Sequence, residues 1–134
     1  MPEFLAPYDG AILALGLFGI LYLGQLIAAD VIGILAKHTP GTPVTGGHDD
    51  LLFRASRAHA NTSESVGALI LIAAFAILRG AEPAHVNGAV WFVLACRVGH
   101  TAAYYLDLRI VRSIVFALGL VGLVALFLAG LRAG

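Results

Sequence analysis

What this 134-residue sequence has least of is charge: eight Lys or Arg and eight Asp or Glu, 12% of the chain. Soluble domains carry about a quarter charged residues, so a water-facing surface of ordinary composition is excluded. Cysteine is nearly absent too, and the lone Cys96 excludes an internal disulfide framework. Set in an apolar helix, it reads as a structural residue with an inert thiol. There is no basic excess: the formal net charge is zero, which removes the bulk electrostatic case for nucleic acid, and no nucleic-acid partner is expected. The histidines His38, His48, His59, His85 and His100 include no pair at i and i+4 beside a carboxylate, so no metal site is expected.

What the chain has in abundance is apolar side chains, 60% of residues, with a mean hydropathy of +0.92. That is the composition of a membrane protein. A helix crossing the hydrocarbon needs about 20 mostly apolar residues, and a chain of this length with short loops holds about four. The expected fold is all-α, an integral-membrane four-helix bundle forming one domain over residues 1–134. Its spans are read at about 11–36, 51–78, 83–106 and 110–131. Asp49 or Asp50 can cap the second helix, Pro83 suits the first turn of the third, and Asp107 can cap the fourth. The Thr-, Pro- and Gly-rich stretch from Lys37 to Gly47 is the one long loop. Gly16, Gly24, Gly33, Gly119 and Gly122 are read as sites of close helix approach.

Lys and Arg near the helix ends set the orientation. Lys37, Arg54, Arg57, Arg109 and Arg112 lie at one end of the spans and only Arg79 and Arg132 at the other, so the former is expected to face the cytoplasm and both termini the opposite side. Glu3 and Asp9, where a signal peptide would be basic, predict that the first helix is retained.

The intramembrane polar residues follow a pattern. Arg57, Asn61 and Glu64 stand at i, i+4 and i+7, with Arg54 close to the same line and His59 pointing away. On the third helix Arg97, His100 or Thr101, and Tyr104 share a face, and a tight turn at Asp107 brings Arg109 and Arg112 back toward them. Charged groups in spans cost at least about 2.5 kcal/mol each at mid-bilayer and are functional candidates by default. Glu64 pairing with Arg57 or Arg97 would be a purely structural alternative, and Asp30 is placed either to cap the pocket or to pair with an arginine. Yet Arg54, Arg57, Arg97, Arg109 and Arg112 outnumber Glu64 and Asp107. An anionic ligand, or acidic groups of another subunit, would balance that excess.

The string Arg54-Ala-Ser-Arg57-Ala58-His59-Ala60-Asn61-Thr62-Ser63-Glu64 resembles the R-x-x-R-A-x-x-N-x-x-E hallmark of the membrane-associated proteins in eicosanoid and glutathione metabolism, abbreviated MAPEG. Arg97-Val98-Gly99-His100-Thr101-Ala102-Ala103-Tyr104, followed by Arg109 and Arg112-Ser113, is similar to the third and fourth helices of the family's prostaglandin E synthase branch. The resemblance implies a homotrimer binding glutathione as co-substrate between subunits at the cytoplasmic side. It assigns Arg54, Arg57, Asn61, Glu64, Arg97, His100, Tyr104 and Arg109 to the glutathione pocket, Arg112 to thiolate activation, and Ser113 to a hydrogen bond beside it. The implied activity is that of a glutathione transferase or glutathione-dependent peroxidase acting on a lipophilic electrophile that arrives through the membrane lipids. Phe116 stands where the prostaglandin enzyme has a tyrosine, and Ser65 where the leukotriene-forming branch has one. With its short loops, the chain looks more like a bacterial member, expected in the inner membrane. The alternatives are a non-catalytic lipid-binding member and a small multidrug transporter with Glu64 as its proton-coupled carboxylate.

Overall fold

The computed structural model describes residues 2–133. Among these the structure is entirely helical: a 3-10 segment, Glu3–Tyr8, leads into α1 (Asp9–Leu35), α2 (Leu51–Leu78), α3 (Pro83–Tyr105) and α4 (Arg109–Arg132). The ends match the sequence reading closely, apart from α1, which begins two residues early behind the unanticipated 3-10 turn.

Local chemistry accounts for most of these ends. Asp50 caps α2, its carboxylate accepting from the N–H of Leu52 at 2.8 Å, and Pro83 opens α3, where the missing N–H costs nothing. Helices α1, α2 and α3 all stop in the same left-handed turn, at Lys37, Gly80 and Asp107, with φ of 56°, 70° and 52°. In each, the next residue's N–H reaches back to a carbonyl five residues earlier: His38 to Gly33, Ala81 to Ala76, Leu108 to Ala103. This pattern satisfies carbonyls the helix end would leave bare. Asp107 therefore does not cap α4 as expected. Leu108 holds that position without a side-chain cap bond, because Asp107 is committed to terminating α3.

The N terminus of α1 is capped from a distance. Tyr8, its N-cap, makes no side-chain cap bond; instead Asn87 of α3 accepts from the N–H of Ala11 at 2.8 Å and donates to the carbonyl of Pro7 at 2.9 Å. Tyr8 donates its hydroxyl to the carbonyl of Ala81 at 2.7 Å. The 3-10 turn is thereby tied to the α2–α3 connection.

The inside of the bundle is small and the outside is large. Ala11, Ala14, Ala55, Ala58, Ala73 and Ala76 are fully buried, whereas Ile20, Leu35, Leu71, Leu78 and Ile110 each expose more than 65% of their surface. Without a hydrophobic difference between lipid and core, membrane helices associate by close packing of small residues. Helices α1, α2 and α4 are long and apolar enough to cross a membrane. The 23-residue α3 carries His85, Asn87, Arg97 and His100 and packs on all three of the others, most extensively on α4. Glycine use differs in part from expectation. A Cβ on Gly122 would stand 2.7 Å from Val93, and one on Gly130, which the sequence reading passed over, 2.6 Å from Phe75. Gly33 and Gly119 make ordinary contacts, but Gly16 and Gly24 face open space within this chain.

Candidate functional site

The polar residues of α2, α3 and α4 meet at the end of the bundle where α3 turns into α4. Arg97 and His100 are buried, at 6% and 3% exposure, and so is Tyr104. Spacings of three and four residues put them on one face of α3. Thr101, the alternative to His100 on that face, turns instead toward α1: it accepts a hydrogen bond from the buried Gln25 and donates to the Arg97 carbonyl at 2.8 Å.

Arg97 reaches α2, donating to the Ser65 hydroxyl at 2.7 Å and to the Asn61 carbonyl at 3.4 Å. The Asn61 amide donates to the Tyr104 hydroxyl at 3.0 Å. The Tyr104 ring carries the Arg112 guanidinium on its face, with 4.6 Å from guanidinium carbon to ring centroid, a cation–π geometry. His100 meets Tyr104 edge-on at 5.0 Å and Phe116 at 5.7 Å between ring centroids. Asn61, Arg97, His100, Tyr104 and Arg112 thus form one connected cluster.

The loop of residues 36–50 contributes a member that no periodicity marked. His48 stacks on Tyr104 at 6.3 Å between centroids, packs edge-on against Phe53 at 5.3 Å, and brings Nδ1 to 3.2 Å from Nη1 of Arg112. The same Nδ1 is 3.9 Å from the Asp107 carboxylate. Arg54 donates to the His48 backbone carbonyl, fastening this part of the loop to α2. Ser65 was likewise not placed in the site, although its position four residues after Asn61 puts it on the Arg57–Asn61 face.

Four expected members, Arg57, Glu64, Arg109 and Ser113, stand apart from the cluster within the chain, and so does Asp30. Arg57 and Glu64 are exposed on α2. Among the described residues neither makes an ion pair within 4 Å, so the structural pairing of Glu64 with Arg57 or Arg97 is not formed. Asp30 is exposed and pairs with no arginine. Arg109 is exposed and turns to Asp107, at 3.4 Å. Its hydrogen bond holds the Asp107 carboxyl below its ordinary value; lost hydration opposes this, and the charges of Arg109, Arg54 and His48 add to the lowering. Ser113 is exposed and donates to the Arg109 carbonyl at 3.2 Å. His59, on the far side of α2, stacks on Tyr22 of α1 at 4.9 Å, pointing away from the cluster as expected.

Chemically, the arrangement presents fixed cations beside an aromatic wall at one end of an apolar bundle, with two further unpaired charges, one of each sign, on the adjoining α2 surface. It suits a ligand with more negative than positive groups. No curated protein matches the chain, and no solved structure matches it. Among protein families, the MAPEG family matches residues 10–132, nearly the full length. This match takes in both polar stretches and all four helices, and the chain is an integral-membrane member of the MAPEG family.

Proposed function

We propose that the protein is a membrane-embedded glutathione transferase in which Arg112 holds the glutathione thiolate for attack on a lipophilic electrophile. One observation carries the reading. Arg57 and Glu64 stand exposed and without an ion pair on α2, either side of Asn61, which is bonded to the Tyr104 that carries Arg112. Glu64 lies about 20 Å along a membrane-spanning helix, where an unpaired carboxylate is costly. A zwitterionic ligand with two carboxylates and one ammonium would satisfy both residues and still leave a carboxylate for the inner arginines.

Only the thiolate of glutathione is an effective nucleophile, and a free thiol has a pKa of about 8.5. A guanidinium remains charged when partly desolvated, so Arg112 favours the anion at neutral pH. The S–H bond breaks with its proton passing to solvent, the sulfur pair forms a bond to the electrophilic carbon, and the leaving group departs with its bonding electrons. We place the ligand between copies of a homotrimer, because Arg57, Glu64 and Ser113 point outward from the single chain. Ser113 then faces the ligand from the rim. The electrophile enters from the bilayer, and the site faces the cytoplasm of a bacterial inner membrane.

The test is conjugation of glutathione to a generic aryl halide by purified protein, together with calorimetric titration of glutathione. Turnover with saturable binding is expected. Absence of both rejects the reading.

A further inference from the structure

At the end of the bundle opposite the arginine cluster, α3 and α4 enclose a groove of about 730 Å³, within the usual range for small-molecule sites. Small residues open it. Ala84 and Gly88 of α3 and Ala125 of α4 are exposed along its length, and a Cβ on Gly88 would meet nothing within 4 Å. Phe92 closes the inner end, its ring so near α4 that a Cβ on Gly122 would come within 2.9 Å of it.

The open end lies where α3 begins and α4 stops, and it carries Glu82, His85 and Arg132. The neighbouring cation, Arg79, is already engaged: its guanidinium donates to the carbonyl of Ala133 at 2.6 Å. That bond ties the end of α4 to the α2–α3 connection. Glu82 and Arg132 are exposed, and among the described residues neither makes an ion pair within 4 Å. The rim therefore offers one cation and one carboxylate, both without a partner.

Length decides what fits. From Ala84 to Phe92 the groove follows α3 for about 12 Å, and from Val121 to Arg132 it follows α4 for about 16 Å. One leaflet's share of a hydrocarbon core about 30 Å thick is about 15 Å. The groove thus runs from a charged rim at the membrane surface to the midplane, the path of one acyl chain below its headgroup. A helix of a second copy would continue past the midplane, where Phe92 stands in the way.

From this geometry we infer that the α3–α4 groove binds a phospholipid whose headgroup carries both a phosphate and a primary ammonium. The phosphate lies on Arg132, whose guanidinium can give it paired N–H bonds. The ammonium donates to Glu82, and one acyl chain lies over Gly88 and Ala125. His85, one turn after Glu82, adds a ring nitrogen for a phosphate or ester oxygen. A headgroup with phosphate alone would leave Glu82 facing an anion, and a quaternary ammonium offers Glu82 no N–H. This lipid sits in the leaflet away from Arg112, so its site is separate from the proposed glutathione site and does not depend on it.

Native mass spectrometry of the delipidated full-length protein in detergent, with dioleoyl phosphatidylethanolamine, phosphatidylglycerol or phosphatidylcholine added, tests the site. Wild type should bind phosphatidylethanolamine about fivefold or more tighter than either of the others, the equivalent of about 1 kcal/mol. Gly88→Leu puts a side chain into the groove without meeting the protein at its Cβ. It should lower phosphatidylethanolamine binding by at least about fivefold, with melting temperature and subunit number as in wild type. Arg132→Gln should weaken phosphatidylethanolamine and phosphatidylglycerol alike, whereas Glu82→Gln should remove the preference between them. Equal retention of the three lipids by wild type, or a preference that survives Glu82→Gln, overturns the inference. Unchanged phosphatidylethanolamine binding in Gly88→Leu does so too. A change of subunit number in Gly88→Leu also overturns it, by making the groove a contact between copies.

Discussion

Arg112 stands with its guanidinium carbon 4.6 Å from the centre of the Tyr104 ring, so the cation at the end of α4 is held by an aromatic face of α3 before any ligand is present. Preorganised charge of this kind acts mainly where new charge develops in a reaction. Arg112→Ala is expected to lower turnover by roughly 10²-fold with a much smaller loss of glutathione affinity. Arg112→Lys keeps the charge but loses the planar group that lies on the ring and should fall between. Steady-state kinetics with calorimetry checks both, and an Arg112→Ala protein whose bound glutathione keeps its thiolate absorbance would remove Arg112 from the role.

The exposed charges of α2 should behave in the opposite way. Arg57→Ala and Glu64→Ala each remove one charge-assisted contact to the ligand, expected to weaken binding by about 1.5–3 kcal/mol, roughly tenfold or more. Turnover at saturating glutathione should be largely kept. Titration calorimetry distinguishes this from a rate defect; equal losses in rate and affinity would argue against a binding role.

Packing on α4 supplies a stability test that is independent of function. A side chain at Gly130 meets the Phe75 ring and the Ala76 backbone, the latter at 3.0 Å. Overpacking of this kind costs typically about 1–3 kcal/mol. Gly130→Val should therefore lower the detergent melting temperature, whereas Gly16→Val, with open space around it in this chain, should not do so through a clash within the subunit. A tolerated Gly130→Val would mean that α2 and α4 do not approach as described.

The turn between α3 and α4 gives a pH dependence. Because the Arg109 hydrogen bond lowers the folded-state pKa of Asp107, its stabilising contribution is present above the unfolded carboxylate pKa of about 3.9 and is lost as pH falls through the lower folded value. The difference in melting temperature between wild type and Arg109→Ala should be present at about pH 6 and shrink toward zero in strong acid. A difference that stays constant across that range would show that Arg109 acts through something other than the Asp107 charge.

Much of the fold was legible because it depends on short-range rules. Apolar runs of membrane length, an Asp before α2, a Pro at the start of α3 and a break near Asp107 are each visible in a few consecutive residues. The α2 and α3 site faces were legible for the same reason, since helical periodicity alone aligns Arg57 with Asn61 and Arg97 with Tyr104. Asp107 was misread because a left-handed helix end and an N-cap can occupy neighbouring positions, and the sequence does not say which helix claims the residue.

The composition by itself determined that this chain belongs in a membrane, and its hidden cationic excess pointed to an anionic ligand despite a net charge of zero. Only the tertiary structure decided which charges are gathered and which are left outside. Arg97, His100 and Tyr104 face inward while Arg57 and Glu64 face out of the chain, because helix rotation is set by how the small residues of neighbouring helices fit. The same holds for long-range partners. Asn87 caps α1 from α3, and His48 reaches Arg112 from the loop, since a loop's path depends on the surfaces it crosses and leaves no periodic trace in the sequence.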